Sequence, residues 1–400
     1  MSHSSPVPAP PSAHEADWLR TAAPGRDRHR LRRVLLVGFL VVLMTLCGLL
    51  TLAAVTSSTG LMGFLIGTCL ALLPLPVVLA AFRWLDRYEP EPRGLLAFAF
   101  FWGATVAAVA AAFFNTISAM VLAGTTDERT GLATTAVLVA PWVEEAAKGA
   151  AVLAVLLFRP REFDGIVDGI VLAGLTGVGF AFSENILYFG RAFLAGESDL
   201  GLSGGLFASG VTFVTRGVLA PFAHPLFTAM TGIGLGIAAS RPRGSIRVVA
   251  PVVGFLAAVA LHALWNLSSL GSFTGFLTGY VLIMVPAFAM TVAVAAWSRR
   301  REGAVVAAQL PAYVEAGWLA PEDVAMLSSL PRRRQAVAWA ETTYGERGAA
   351  ALRDFQHAAT ELAFLRDRAQ RGRAGPDFPA RERAALVEVA RNRAAVAPAR

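Results

Sequence analysis

Lysine is nearly absent from this chain. Lys148 is the one lysine among 35 Lys and Arg residues in a chain of 400. Cysteine is scarce as well: Cys47 and Cys69 both lie in apolar blocks, which excludes a disulfide framework and a cysteine-based metal site. Charged residues make up 16% of the chain and hydrophobic residues 55%. This composition excludes an ordinary soluble protein of two or three domains.

Apolar blocks dominate the first 300 residues, and most have about 20 residues or more, which is enough to cross a bilayer at ~1.5 Å per residue. We therefore predict an all-α, polytopic membrane protein with about eight transmembrane helices. The sixth block is overlong and contains Arg216, Gly217, Pro221 and Pro225, so we expect a kinked, broken or re-entrant helix there. The predicted spans are 34–55, 61–82, 95–122, 134–158, 166–194, 207–239, 248–270 and 274–297.

The arginines predict the orientation of these spans. With the N-terminus in the cytosol, sixteen arginines near the span ends fall on the inner side, and two, Arg129 and Arg191, fall on the outer side. Such an inner excess is the usual bias of membrane proteins. We therefore predict a plasma-membrane protein with both termini in the cytoplasm. The net charge of +7 then needs no nucleic-acid partner.

Composition divides the chain into three segments. Residues 1–29, rich in Pro, Ser and Ala, predict a disordered tail. Residues 30–300 hold the eight spans. Residues 301–400 carry apolar side chains at helical spacing among charges, which predicts a cytosolic helical domain. His357 stands alone in that domain, so we expect it to be solvated.

Glu144, Glu145 and Lys148 interrupt the fourth apolar block. Ionisable groups at membrane depth are costly and mark functional sites by default. In a helix the lysine follows the two glutamates by four and three residues, so it can reach either carboxylate. The alternative interpretation is a neutralised ion pair that holds helices together.

Three other blocks carry polar groups of the same kind. Glu184 lies in the fifth block, and His224 and His262 are the only two of six histidines inside apolar blocks. Asn266 follows His262 by one helical turn and shares its face. Counting residues from the span ends places Glu144, Glu184 and His262 about 12–15 Å below the outer surface. We therefore predict that these side chains meet in one layer of the outer membrane half.

Ordered motifs in these blocks resemble the PrsW family of intramembrane proteases, which is related more distantly to the CAAX-protease and bacteriocin-processing superfamily. The resemblance covers about residues 80–300. It implies cleavage of a membrane-anchored protein near its extracytoplasmic side, and anti-sigma factors are the known substrates of this type. The motifs are WLDRYEPEP at 84–92, EEAAK at 144–148, FAFSEN at 180–185, PFAHP at 221–225 and HALWN at 262–266.

We predict four catalytic residues. Glu144 or Glu145 would activate the hydrolytic water, because a carboxylate in a dry site is a suitable general base. Lys148 would set the charge state of the glutamate pair. Asn266 would help to stabilise the tetrahedral intermediate.

We predict Glu184, His224 and His262 as ligands of a divalent metal, zinc being the expected ion. The three buried glutamates and the lysine carry a formal charge of −2, which one such ion would neutralise. The resemblance also leaves a glutamate-dependent, metal-free mechanism open, and no compact motif forces zinc. The expected partners are a membrane-anchored protein substrate and the lipid bilayer. The rival functions are an ion-coupled transporter, whose relays use the same residue types, and a membrane scaffold that binds partners without chemistry.

Overall fold

The computed structural model describes residues 7–8, 27–241, 244–373 and 375–396. Every regular element in these residues is helical, and no strand occurs among them. The predicted all-α class is therefore confirmed. Most of the predicted tail, 1–29, lies outside the described residues.

Fifteen α-helices and four π-helical turns follow one another in the described part of the chain. The turns Trp102–Ala107, Thr135–Val139 and Tyr280–Met284 each join two helices, and Val214–Leu219 extends a helix end. The helices are α1 (Asp27–Leu72), α2 (Leu75–Leu85), α3 (Arg93–Phe101), α4 (Ala108–Ala123), α5 (Glu128–Thr134), α6 (Ala140–Phe158), α7 (Ile166–Phe213), α8 (Ala223–Ala239), α9 (Ile246–Ser269), α10 (Phe273–Gly279), α11 (Val285–Gln309), α12 (Pro311–Glu315), α13 (Pro321–Leu327), α14 (Leu330–Gln370) and α15 (Phe378–Val396).

Five helical stretches among the described residues are long and apolar enough to cross a membrane, by length and composition. The chain is thus a multi-pass membrane protein, and the number eight stays a prediction. The stretches are Val34–Leu85, Arg93–Thr125, Ile166–Ala239, Ile246–Ser269 and Phe273–Glu315.

The longest stretch folds back on itself inside α7. Gly201 has a φ of 68°, in the left-handed region that favours glycine. Beyond it, the Ser209 hydroxyl donates to the carbonyl of Phe189, 20 residues earlier, over 2.8 Å. In a straight helix these residues would be ~30 Å apart. The two halves of α7 are therefore antiparallel neighbours, and a similar backbone break lies in α1 at Gly60, with a φ of 64°.

The first half of α7 is the central helix of the membrane-spanning unit. Its glycines allow neighbouring backbones to approach closely, as in many membrane helix contacts. A Cβ on Gly169 would lie 2.1 Å from the carbonyl oxygen of Gly232 in α8. A Cβ on Gly103, in the first π-helical turn, would lie 1.9 Å from the carbonyl oxygen of Thr176. These contacts bring α8 and α3–α4 against α7.

The helix after α7 is broken, as the sequence predicts for the sixth span. The π-helical turn Val214–Leu219 ends at Ala220, whose φ of −125° and ψ of 41° are not helical. Helix α8 starts at Ala223 with Pro225 in its first turn, where a missing N–H costs no helical hydrogen bond. The break places Arg216 and His224 on separate helical segments.

The chain forms two compact units. One comprises the described residues of Arg28–Asp86 and Glu91–Ala295. The other comprises those of Ala296–Arg400 together with Arg87–Pro90 and a short N-terminal part. The second unit has its own apolar core, in which Leu310, Tyr313 and Leu362 are fully buried. His357 is exposed, as expected from its sequence.

Candidate active site in the membrane-spanning unit

Helix α6 carries the acid pair and the lysine. Pro141 occupies its first turn, a position that favours helix initiation. Lys148 donates from Nζ to Oε1 of Glu145 over 2.8 Å and lies 3.5 Å from Oε2 of Glu144. Glu145 and Lys148 are 0% exposed, and Glu144 is 5% exposed. The local spacing therefore builds one buried ion cluster on one face of α6.

Lys148 also binds His224 of α8. Its Nζ lies 3.1 Å from Nδ1 of the imidazole and 3.8 Å from the centroid of the Phe180 ring, a favourable position for a cation. Since an ammonium group only donates, Nδ1 of His224 is the acceptor. The lysine therefore links α6, α7 and α8 through its one charged group.

Glu184 of α7 fixes the other nitrogen of this histidine. Nε2 of His224 lies 2.7 Å from Oε2 of Glu184, and we assign the proton to Nε2 because Nδ1 is an acceptor. Arg216 donates to the same carboxylate oxygen over 2.5 Å and to Oδ1 of Asn185 over 2.9 Å. Its guanidinium stacks on Tyr188 at 4.0 Å from the ring centroid. Glu184 thus receives two donors at the partly buried edge of the cluster.

His262 of α9 approaches both glutamates. Its Nδ1 lies 3.0 Å from Oε1 of Glu145, so we assign the proton to Nδ1, because a carboxylate accepts. Its Nε2 lies 3.7 Å from Oε2 of Glu144, beyond hydrogen-bond distance. The ring stacks on Phe227 with centroids 4.9 Å apart. The result is a buried imidazole whose unprotonated nitrogen faces Glu144.

The two glutamates differ in how firmly they are held. Glu145 accepts from Lys148, His262 and the Thr228 hydroxyl at 2.8, 3.0 and 3.0 Å. Glu144 accepts from Nδ2 of Asn115 over 3.1 Å and has Lys148 at the longer distance given above. Glu145 is therefore saturated with donors, whereas Oε2 of Glu144 has capacity to accept another.

Asn115 of α4 belongs to the site, although sequence reasoning missed it. Its Oδ1 is buried, and within the described part of the chain it has no hydrogen-bond partner. Such an orphan acceptor is uncommon in a folded protein. The Trp102 indole anchors this region to α6 by donating to the carbonyl of Ala147 over 2.9 Å. The sequence signal available was an amide inside an otherwise apolar block.

Thr228 was missed as well. It follows His224 by one turn of α8, and its hydroxyl reaches Oε2 of Glu145. Threonine is frequent in membrane helices because it can bond its own backbone, so its presence alone carried no signal.

Asn266 makes a contact that the sequence did not predict. Its Nδ2 donates to the carbonyl of Ala136 over 2.8 Å. Ala136 lies in the π-helical turn Thr135–Val139, where a carbonyl bonds the N–H five residues later. That residue is Pro141, which has no N–H. The amide of Asn266 therefore replaces a missing backbone donor, a structural contact that draws it toward α5–α6.

Three buried side chains fit a metal ion by their type and placement. Glu144, His224 and His262 each offer one ligand atom, and these atoms lie within 4.8 Å of one another. One carboxylate and two imidazoles are a known donor set of catalytic zinc sites. The sequence prediction was His224 and His262 with Glu184, but in the structure Glu184 binds the protonated nitrogen of His224 and Glu144 takes its place in this group. The contact with Arg216 also changes the charge: three carboxylates against two cations give −1 rather than −2.

Comparison with known proteins identifies the family of this chain. A family model described as PrsW family intramembrane metalloprotease matches residues 91–291, the range that contains all the cluster residues. Protease PrsW from Oceanobacillus iheyensis is 29% identical over 132 residues, which are 32% of this chain and 53% of that protein. The chain thus spans about half the length of this curated relative. No solved structure matches the chain.

Proposed function

Because this chain belongs to the PrsW family of intramembrane metalloproteases, we propose that it hydrolyses a peptide bond of a membrane-anchored protein. The observation that carries the proposal is the pair of acceptor atoms in a buried cluster: Oε2 of Glu144 and Nε2 of His262, 3.7 Å apart. One water molecule can donate to both atoms at ordinary hydrogen-bond lengths.

Glu144 is the proposed general base. Its Oε2 has few donors, so it can take the proton of a water while His262 orients the same water. Positioned general bases contribute about 10²–10⁴-fold to a rate. Glu145 has no such freedom, because three donors hold it. Its role is to orient His262 and to neutralise Lys148.

A divalent metal, where one is bound, would be held by Glu144, His224 and His262. It would lower the pKa of its water and polarise the scissile carbonyl. Glu144 would then serve as a ligand rather than as the base. Glu145 would accept the Nδ1 proton of His262, as carboxylates commonly do for metal-binding histidines. Zinc is the expected ion, because this donor set suits it.

We also propose eight membrane crossings. The backbone breaks at Gly60 and Gly201 divide two of the five stretches, which makes seven crossings, and the helix α6 (Ala140–Phe158) with the π-helical turn before it is the eighth. The inner excess of arginine supports a cytoplasmic position for both termini. The site then lies in the outer half of the plasma membrane. The substrate class that fits is an anti-sigma-factor-like protein with one membrane span, cleaved near its extracytoplasmic end.

Glutamine substitution tests the proposal. Glu144→Gln and Glu145→Gln should each abolish cleavage of a reporter that carries an anti-sigma-factor membrane segment, in cells where the chain is the only added protease. Immunoblots should show unchanged abundance of the Glu144→Gln protein. Glu128→Gln, an exposed acid in the first turn of α5, is the matched control and should cleave normally. Normal cleavage by the Glu144→Gln protein would refute the assignment of the base.

A further inference from the structure

We infer that Lys148 and a divalent metal ion compete for one position in the site, so that the ion binds only when the ammonium leaves His224. The inference rests on the metal group of the proposed function, but not on proteolysis itself. It concerns which cation holds the centre of the cluster.

The first step is the protonation of His224. Glu184 receives both Arg216 and Nε2 of His224 on its Oε2. With Nε2 protonated, Nδ1 carries the only lone pair of this imidazole. A metal ion must therefore bind His224 through Nδ1.

The second step is that Lys148 already uses that atom. Its Nζ lies 3.1 Å from Nδ1 of His224 and 3.5 Å from Oε2 of Glu144. Two of the three members of the donor group are thus partners of the ammonium. An ion bound to both would lie beside a like charge, in a place where Lys148 is 0% exposed and water cannot screen the repulsion.

The third step is that the other donors of the site do not depend on the lysine. Glu145 keeps His262 and Thr228 as donors. His262 keeps its Nδ1 proton on Glu145 and so continues to present Nε2. Lysine is also the basic side chain with a compact charge on a flexible stem, which suits a group that must withdraw.

Cobalt titration of the purified full-length protein in detergent tests the inference, because the absorption of Co²⁺ reports its ligands. Lys148→Met removes the ammonium and keeps an unbranched side chain. We expect it to bind one Co²⁺ with a dissociation constant at least about tenfold lower than wild type, the size of effect that groups around a metal commonly have. The double variant Lys148→Met/His262→Ala should lose this binding.

Arg216→Met is the matched control. It removes the other cation of the cluster, which contacts Glu184, Asn185 and Tyr188, and so makes the same change in net charge. If competition for the position is the cause, Arg216→Met should bind Co²⁺ much more weakly than Lys148→Met. Equal gains in the two variants would mean that charge alone matters, and the inference would be wrong.

The unmodified protein gives a second measurement that does not depend on any variant folding. Because Lys148 is the only lysine, protein grown with ¹⁵Nζ-lysine gives one side-chain ammonium signal. Zn²⁺ that occupies the site should shift this signal in proportion to occupancy. Stoichiometric Zn²⁺ binding with an unmoved lysine signal would overturn the inference. Neither measurement uses a substrate. A result against competition between Lys148 and the metal would therefore leave the protease assignment untouched.

Discussion

The protein buries charged side chains in both of its compact units, and Arg333 and Lys148 are satisfied in different ways. In the C-terminal unit, Arg333 donates to the carbonyl of Leu327, the carbonyl of Tyr88 and the hydroxyl of Thr360 at 2.7, 3.3 and 2.5 Å. It is 6% exposed, and its guanidinium stacks on the Tyr88 ring. All these acceptors are neutral. The arginine is a structural tie between parts of that unit.

In the membrane-spanning unit, charges face charges. Lys148 has two carboxylates and an imidazole as neighbours. The unprotonated Nε2 of His262 and the Oδ1 of Asn115 both lie at Glu144 with capacity to accept. Arg333 is thus saturated by neutral groups, whereas the cluster around Lys148 keeps a surplus of acceptors, as a site that must bind water or a cation requires.

Removing the saturated glutamate should have the largest effect on stability. Glu145→Gln leaves Lys148 without its closest carboxylate, and breaking a buried ion pair from one side costs about 3–5 kcal/mol. Thermal unfolding of the purified protein in detergent measures this loss. Glu144→Gln is the matched comparison and should cost about 1 kcal/mol, the value of one ordinary hydrogen bond. Equal losses would show that the two glutamates are not held differently.

Arg333→Met should have the next largest effect. It leaves three buried acceptors without their charged donor, for which we expect a loss of about 3 kcal/mol in the C-terminal unit. Hydrogen exchange of amides in α14 and α15 measures the stability of that unit. Arg334→Met is the control, because Arg334 is exposed, and its loss should stay within about 0.5 kcal/mol. A small loss for Arg333→Met would mean that its bonds are not structural ties.

The sequence predicted the members of the cluster better than their bonds. The spacing of Glu144, Glu145 and Lys148 correctly implied that the lysine reaches both acids, because i,i+3 and i,i+4 geometry is local. Counting depth also selected Glu184 and His262, and His224 was selected as a histidine inside an apolar block. The fold brings all three to the cluster. Contacts between distant residues were not predictable in this way. Asn115 meets Glu144 across 29 positions, and no local period records that pairing.

Asn266 shows a second limit of sequence reasoning. The residue shares a helix face with His262, which suggested a catalytic role. Its amide instead serves Ala136, because a π-helical turn puts that carbonyl in register with Pro141. A π-helical turn depends on packing rather than on a residue pattern, so the need for this donor became visible only in the fold.

Asp86 is a buried carboxylate outside the membrane-spanning segments. It accepts a hydrogen bond from the backbone N–H of Glu91 over 3.0 Å. Burial raises the pKa of Asp86 from 3.8 to about 6. The folded state therefore binds the proton more tightly than the unfolded state, so the free energy of unfolding should fall as pH rises from about 4 to 6. The maximum loss is about 3 kcal/mol.

Melting temperatures measured between pH 4 and 7 test this pH dependence. In the Asp86→Asn protein the melting temperature should decrease less as the pH rises. Asp127→Asn is a control of opposite sign, because the Thr130 side chain and backbone hydrogen bonds lower the pKa of Asp127. Loss of Asp127 should remove stability at the higher pH values. An unchanged pH profile in the Asp86→Asn protein would exclude Asp86 as its source.

Asn115→Leu should have the smallest effect of these substitutions. It separates groups that serve the site from groups that only stabilise the fold. The substitution removes the donor to Oε1 of Glu144 and the orphan Oδ1 with nearly the same volume. Losing one hydrogen bond to a charged group is worth about 1.5 kcal/mol, so reporter cleavage in isolated membranes should slow about tenfold. Stability should hold or rise, because a buried acceptor without a partner disappears. Thr116→Val, at an exposed neighbour on α4, should change neither quantity. Slower cleavage with preserved stability would place Asn115 with the surplus acceptors of the site, whereas a loss of stability with normal cleavage would place it with the structural ties such as Arg333.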